Sequence, residues 1–421
     1  MEPKLSSSPA AVLLHAPRFD SLGLPAEFVR ILQRRGLIET LPIQAMCIPD
    51  ALAGRDVSGK APTGSGKTLA FALPMAALLQ KGRAKRPTGL VLAPTRELAA
   101  QIAAELKPLA AARGLRVHAF YGGVGYGPQL NALRGGVDIA VACPGRLEDL
   151  MAGGHAILDE VSFVVVDEAD RMADMGFLPA VRRVLDATRA NRQTLLFSAT
   201  LDGDVDVLVR RYQRNPVRHE VDSDVDVSLM THRFHYVAHD ERVATCAKII
   251  ADTGTSIVFV RTRHGADRLV RQLGKLGVVA AAIHGDRSQA QRDRALHSFS
   301  KGSVDALVAT DVAARGIHVD DVACVVHFDL SEDPKDYVHR AGRTARAGAA
   351  GVSIALVTRE QHGAAENLRA SLALSPETVG DVPAPSVRHR IATAAPARNH
   401  SNGRDQGRRR RGAATRSRTR G

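Results

Sequence analysis

Nine short runs rich in Val, Ile and Leu constrain this chain more than any other feature. Four come early, at Gly89–Ala93, Val137–Ala142, Ser162–Val166 and Thr194–Phe197. Five come later, at Ser256–Val260, Val278–Ile283, Ala306–Ala309, Ala323–Phe328 and Val352–Val357. Both faces of each run are apolar, which is how parallel strands covered on both sides read. Helix-patterned stretches such as Glu97–Ala112 and Ala266–Leu276 lie between them. Strand alternating with helix predicts doubly wound α/β sheets. The two groups of runs predict two such domains in tandem, 19–214 and 228–374. A loose leader, 1–18, precedes them, and an Asp- and Val-rich linker, 215–227, joins them. Beyond Leu374 the rhythm stops, and 375–421 is expected to be a disordered tail.

Charge divides the chain in the same way. The 421 residues hold 57 Lys and Arg against 44 Asp and Glu, a net +13. From Arg388 to Gly421 there are eleven Arg and one acid, Asp405, so this end carries +10 and the rest only +3. A positive balance implies an acidic partner, nucleic acid or an anionic surface. At 45% apolar residues the chain is neither disordered throughout nor collagenous. The cysteines, Cys47, Cys143, Cys246 and Cys324, stand far apart with no C-x-x-C pair. That argues against disulfides and a zinc site and for a reducing cytoplasm. No apolar run is long enough to span a membrane.

Two local patterns carry chemistry. Ala61-Pro-Thr-Gly-Ser-Gly-Lys-Thr68 is similar to a phosphate-binding P-loop, with Ala61 where the strict pattern has Gly. Gly64 and Gly66 let backbone N–H groups turn toward phosphate oxygens, and Thr63 and Ser65 lie within the same loop. Lys67 puts a point charge on the β and γ phosphates, and the Thr68 hydroxyl suits Mg²⁺. A helix over Leu69–Leu79, interrupted by Pro74, would aim its N-terminal dipole at the phosphates. The second pattern is Val164-Val-Val-Asp-Glu-Ala-Asp170, an apolar strand ending in carboxylates. There Asp167 would hold Mg²⁺ and Glu168 would deprotonate the attacking water.

Asp167-Glu-Ala-Asp170 resembles the signature of the DEAD-box ATP-dependent RNA helicases, and further motifs follow in that family's order. They are Pro94-Thr-Arg-Glu-Leu-Ala99, Gly122-Gly123, Pro144-Gly-Arg146 (after Cys143 in place of Thr), Ser198-Ala-Thr200, Ala309–Gly316 and His339–Arg346 (with Ala345 in place of Gly). Gly36 to Gln44 resembles the adenine-reading Q motif, with Thr40 and Leu41 replacing Pro-Thr. The resemblance spans Phe19 to Leu374 and implies two RecA-like domains, the first binding ATP.

It also implies roles. Gln44 would read adenine and Phe19 would stack on it, unless Phe19 is an ordinary core aromatic. Arg343 and Arg346 would act as arginine fingers, Asp311 would meet the ribose side, and His339 would link to the catalytic water. RNA contacts would come from Arg96, Gly122, Gly123, Gly145, Arg146, Arg263, Gly285, Gln289, Arg292 and Thr310. Ser198, Ala199 and Thr200 would couple hydrolysis to strand separation. The implied enzyme is an RNA-stimulated ATPase, a monomer using ATP and Mg²⁺. It would close on single-stranded RNA and unwind short duplexes locally, with ribosomal or RNA-decay proteins as partners. Its motif set with a short basic tail looks most like bacterial members of the RhlE type. The rival readings are a DNA translocase and an RNA-annealing chaperone or clamp on the same fold.

Overall fold

The computed structural model describes residues 16–62, 64–221, 230–314, 322–331, 333–344, 351–374 and 377–379. Thr63, Arg346, Ala345, most of the leader and most of the tail lie outside the described residues, as do 222–227 of the expected linker.

The first sheet contains β1 (Val57–Lys60), β2 (Gly89–Leu92), β3 (Val117–Phe120), β4 (Ile139–Ala142), β5 (Phe163–Val166), β6 (Gln193–Ser198) and β7 (Val217–Glu220). Their order is β3-β4-β2-β5-β6-β1-β7, every pairing parallel. The second sheet contains β8 (Thr231–Tyr236), β9 (Ser256–Phe259), β10 (Ala280–Ile283), β11 (Ala306–Ala309), β12 (Cys324–His327), β13 (Val352–Val357) and β14 (Glu377–Val379). It repeats the plan, in the order β10-β11-β9-β12-β13-β8-β14, again parallel throughout. Both RecA-like α/β domains are therefore present, and their described residues belong to one compact unit, Met1–Pro383.

All nine apolar runs are strands. Their alternate residues feed opposite layers: Val91, Val141 and Val165 enter one core of the first sheet, and Leu90, Ala140 and Val164 enter the other. The remaining five strands lack an apolar run. β7 alternates half-buried and exposed residues at one sheet edge, and β3 is half-buried at the other. Two boundaries change as a result. Residues 217–220 of the expected linker complete the first sheet by pairing with β1, and 377–379 of the expected tail pair with β8. An edge strand needs hydrogen bonds on one side only and little apolar cover, so its sequence resembles a linker's.

Candidate nucleotide and RNA site

Parallel strands deliver their carboxyl ends to one edge of the sheet, and open α/β sheets bind ligands there. In the first domain β1 leads into Ala61, β2 into Pro94, β4 into Cys143, β5 into Asp167, and β6 ends on Ser198. Motifs 100 residues apart thus share one rim.

The phosphate loop is held from three sides. Lys67 is buried and donates from Nζ to the Ala61 carbonyl at 3.0 Å. Ser65 Oγ donates to the Pro62 carbonyl at 2.7 Å. Gly66 caps the helix Lys67–Leu78 in the left-handed region, φ 85°. Any Cβ there would strike Gln44 Nε2 and the Leu41 side chain, so both conformation and space demand glycine. Gly64 is also left-handed, at φ 89°. Thr68 follows Lys67, half-buried, in the first turn of that helix.

Gln44 ties this loop to the upstream segment. Its Oε1 accepts from the Leu41 N–H at 2.9 Å, and its Nε2 donates to the Gly66 carbonyl at 3.0 Å. The two departures in this motif are absorbed locally. Thr40 donates both backbone N–H (2.9 Å) and Oγ1 (2.7 Å) to the Pro17 carbonyl, and Leu41 points outward. Phe19 is only 2% exposed and packs in the first core with Phe28 and Leu32, the placement of a core aromatic.

Asp167 and Glu168 follow β5, at 2% and 5% exposure. Burial pushes the Asp167 carboxyl up to about 7 against the pull of Lys67, with the Glu168 charge adding to the rise. Glu168 adopts φ 52°, ψ 53°, an uncommon conformation for a residue with a side chain, and it opens the helix Ala169–Asp174. Strain of this kind concentrates at functional sites. Glu168 Oε2 accepts from Arg171 Nη1 at 2.8 Å, which fixes the carboxylate. A buried carboxyl within reach of the Lys67 charge, and a hydroxyl at Thr68 in the first turn of the Lys67 helix, are donors of the kind that fits Mg²⁺. That ion takes one or two protein oxygens and completes its shell from phosphates and water. Accordingly, no cluster of three or more His, Cys, Asp or Glu forms an all-protein metal cage among the described residues.

Asp170, the last residue of the motif, has a role of its own. Its backbone N–H donates to Ser198 Oγ at 3.1 Å, and its Oδ2 accepts from the Ala199 N–H at 3.1 Å. The carboxylate strand end and the Ser198–Thr200 segment are thereby locked together, while Thr200 itself stays exposed.

On the same rim, Arg96 lies against Gly123, where a Cβ would collide with its guanidinium; Gly123 has φ 78°. Arg146 is buried, donates to the Val124 carbonyl at 3.2 and 3.3 Å, and stacks 4.1 Å from the Tyr126 ring centroid. Gly145 leaves open space on its Cα atom, and a Cβ at Gly122 would meet Arg96 Nη2 at 3.9 Å. Cys143 caps the helix Pro144–Ala152 without a side-chain hydrogen bond. Burial pushes its thiol up to about 12.

The second domain supplies a matching edge. Arg263 pairs with Asp286 beside Gly285, and Thr310 is buried after β11. Arg343 is buried and His339 exposed at the end of the helix Pro334–Ala341. Two placements differ from the expected ones. Asp311, expected at the ribose, receives Arg340 Nε at 2.6 Å and Nη2 at 2.8 Å, so both its oxygens are engaged. Gln289 and Arg292, expected to face RNA, are buried and turn toward Glu97 of the first domain. Arg292 Nη2 lies 3.0 Å from Glu97 Oε2, and Gln289 Nε2 donates to Glu97 Oε1 at 3.2 Å. Glu97 and Arg340 both sit inside motifs legible in the sequence. Their partners were not legible, because each lies in a different strand–helix unit.

Comparison with known proteins identifies a family for this fold. Residues 41–208 match the DEAD/DEAH box helicase family, and 241–348 match the helicase conserved C-terminal domain. DEAD-box ATP-dependent RNA helicase 30 of Arabidopsis thaliana is 41% identical over 351 residues, covering 81% of this chain and 59% of that protein. DEAD-box ATP-dependent RNA helicase CshA of Geobacillus kaustophilus is 39% identical, covering 82% of this chain and 74% of that protein. Across five plant and fungal relatives at 41–42% identity, the chain spans 52–64% of their length. Among solved structures, S. cerevisiae Dbp5 bound to RNA and ADP BeF3 matches at 28% identity and TM-score 0.77, covering 86% of this chain and 96% of that one. A DEAD box protein from Methanococcus jannaschii matches at 31% identity and TM-score 0.53, covering 87% of this chain and all of that one. With its motifs in order, two parallel sheets presenting them on their rims, and relatives matched across most of this chain, the chain belongs to the DEAD-box helicase family.

Proposed function

We propose that this protein is an RNA-stimulated ATPase that remodels short RNA duplexes. The observation that carries this reading is the buried trio Lys67, Asp167 and Glu168 on the rim of the first sheet. Arg171 answers Glu168, but the Asp167 carboxyl, raised to about 7, and the Lys67 ammonium are costly to bury at a strand end unless a ligand completes their neutralisation. A nucleoside triphosphate with Mg²⁺ does so. When bound, the ion neutralises charge on the β and γ phosphates.

The chain's own residues then divide the work. Lys67 and the N-terminus of its helix hold the phosphates. Glu168, fixed by Arg171, takes the proton of the attacking water. Arg343, from the second domain, meets the charge spreading over the transferred phosphoryl group. Because these groups come from two domains, turnover requires closure, and RNA bound across both rims favours it; ATP and RNA therefore bind with mutual help. Arg96, Arg146, Arg263 and the glycines contact the sugar–phosphate chain, without reading sequence. The Asp170–Ser198 link joins hydrolysis to local, non-processive strand separation. We place the enzyme in the cytoplasm, acting as a monomer on RNA.

Glu168→Gln tests the chemistry. RNA-stimulated phosphate release should fall by about 10²–10⁴-fold while the ATP-dependent RNA complex still forms. Undiminished turnover would remove Glu168 as the base. Ser198→Ala with Thr200→Ala should spare ATP hydrolysis more than unwinding, and equal loss of both would count against coupling.

A further inference from the structure

A polar chain crosses the apolar interior of the second domain. His327 on β12, Ser353 on β13 and Tyr337 on the helix Pro334–Ala341 are 0% exposed, and His232 on β8 is 5% exposed. His327 Nε2 lies 3.1 Å from Ser353 Oγ, Ser353 Oγ donates to the Tyr337 hydroxyl at 3.3 Å, and that hydroxyl lies 2.8 Å from His232 Nδ1. The rings reinforce it: His327 stacks on Tyr337 with centroids 4.4 Å apart and planes at 16°. On this face of the sheet the apolar cover forms two clusters, one with Ile257, Leu307 and Val325, the other with Phe234, Ala355 and Val357. The polar chain lies between them.

One proton order satisfies the whole chain. Burial holds His327 well below its ordinary range, hence neutral. With the proton on Nε2, His327 donates to Ser353, Ser353 to Tyr337 and Tyr337 to His232. Each hydroxyl donates once and accepts once. The cost is one buried atom, His327 Nδ1, with no partner.

Apolar side chains of similar volume would cover the sheet as well or better. What they would lack is direction. The chain of hydrogen bonds fixes the rotation of the helix that carries Tyr337 against three strands. One turn later Arg340, on the same face, closes on both Asp311 oxygens and donates to the Asp329 carbonyl at 2.7 Å. Arg343 lies just past the helix's C-cap, Gly342, and its N–H donates back to the Arg340 carbonyl at 3.1 Å.

We propose that Tyr337 is a positioning residue for ATP hydrolysis: its hydroxyl, held between Ser353 and His232, sets the angle at which Arg343 is presented. This rests on the reading of Arg343 as the group that meets the phosphoryl charge. Tyr337→Phe keeps the stacked ring and removes only the hydroxyl. It should lower kcat of RNA-stimulated ATP hydrolysis about tenfold or more, as misplacement of a catalytic group does. KM for ATP should stay within about twofold, and melting should shift little. Ser353→Ala, which leaves the Tyr337–His232 contact, should give a smaller loss of the same kind. The deciding variant pair is Arg343→Ala with and without Tyr337→Phe. If Tyr337 acts through Arg343, its substitution adds no further loss to single-turnover hydrolysis in the Arg343→Ala background. An unchanged kcat in Tyr337→Phe, or an undiminished further loss in the double variant, overturns the proposal. Full activity in Arg343→Ala would instead overturn the reading of Arg343.

Discussion

The two sheets share one topology and differ in how they treat charge. In the first domain, charged groups at the strand ends are buried and aimed at the rim: Lys67, Asp167 and Glu168 converge where a nucleotide's phosphates would lie. In the second, the strand-end charges are closed on one another. Arg340 grips Asp311 bidentately, Arg242 pairs with Asp329, and even the sheet's interior carries a hydrogen-bonded polar chain. In the first domain only Glu168 of the three is gripped by an arginine, Arg171. Charge closed internally is architecture, and it orients whatever helix it grips. The first domain reads as the one that binds, the second as the one that presents.

Four experiments can break or sharpen that contrast. The largest effect is expected at Glu97, where a carboxylate of the first domain answers a buried arginine of the second. Glu97→Gln leaves Arg292 buried without its counter-charge and should cost about 3 kcal/mol in denaturant unfolding. Adding Arg292→Met should restore most of that loss, because no unmatched charge remains. If the double variant is as weak as the single, Glu97 has some other duty.

A second effect follows from His327. Its folded-state value is depressed below the ordinary 6.5, so the unfolded chain binds a proton that the folded chain refuses. The associated stability is complete above 6.5 and is lost as pH falls below it, by up to about 1.4 kcal/mol per pH unit. Because Asp167, raised to about 7, gains stability over the same fall, the signature is a difference: in unfolding measured from pH 7.5 down to 5, wild type should lose stability relative to His327→Asn. Equal slopes would mean that His327 is protonated in the folded protein.

Smaller is the cap at Cys143. Cys143→Thr supplies the side-chain oxygen that the helix Pro144–Ala152 lacks, and it should stabilise the first domain by about 1 kcal/mol. A loss of stability would show that the thiol's packing outweighs the missing cap. Smallest for catalysis is deletion of 388–421. Hydrolysis at saturating RNA should be unchanged, while RNA affinity at low salt weakens and its dependence on salt flattens. Strand annealing, assayed in parallel, should fall with it. An altered kcat at saturation would give the tail a part in the reaction.

Much of this was readable before any coordinates. The nine apolar runs became nine strands because a strand covered on both faces is mostly apolar, with the few polar residues it carries, such as His327 and Ser353, hydrogen-bonded to one another. The loop from Ala61 to Thr68 and the acids at 167 and 168 were readable because phosphate chemistry restricts residue types at fixed local spacing. The edge strands Val217–Glu220 and Glu377–Val379 were hidden, since half-exposed strands have a loop's composition. The net charge pointed to nucleic acid, yet most of it sits in the Arg-rich end, so it located neither rim.

What the sequence determined alone was therefore whatever depends on neighbours along the chain: the alternation of strand and helix, the glycines of the phosphate loop, the adjacent carboxylates. What only the tertiary structure decided was pairing at a distance. Asp311 is taken by Arg340, Arg292 by Glu97, Asp170 by Ser198, and Tyr337 by Ser353 and His232. A side chain's partner depends on how strands stack into a sheet. That order, β3-β4-β2-β5-β6-β1-β7 and its repeat, is set by packing of whole layers rather than by any local pattern.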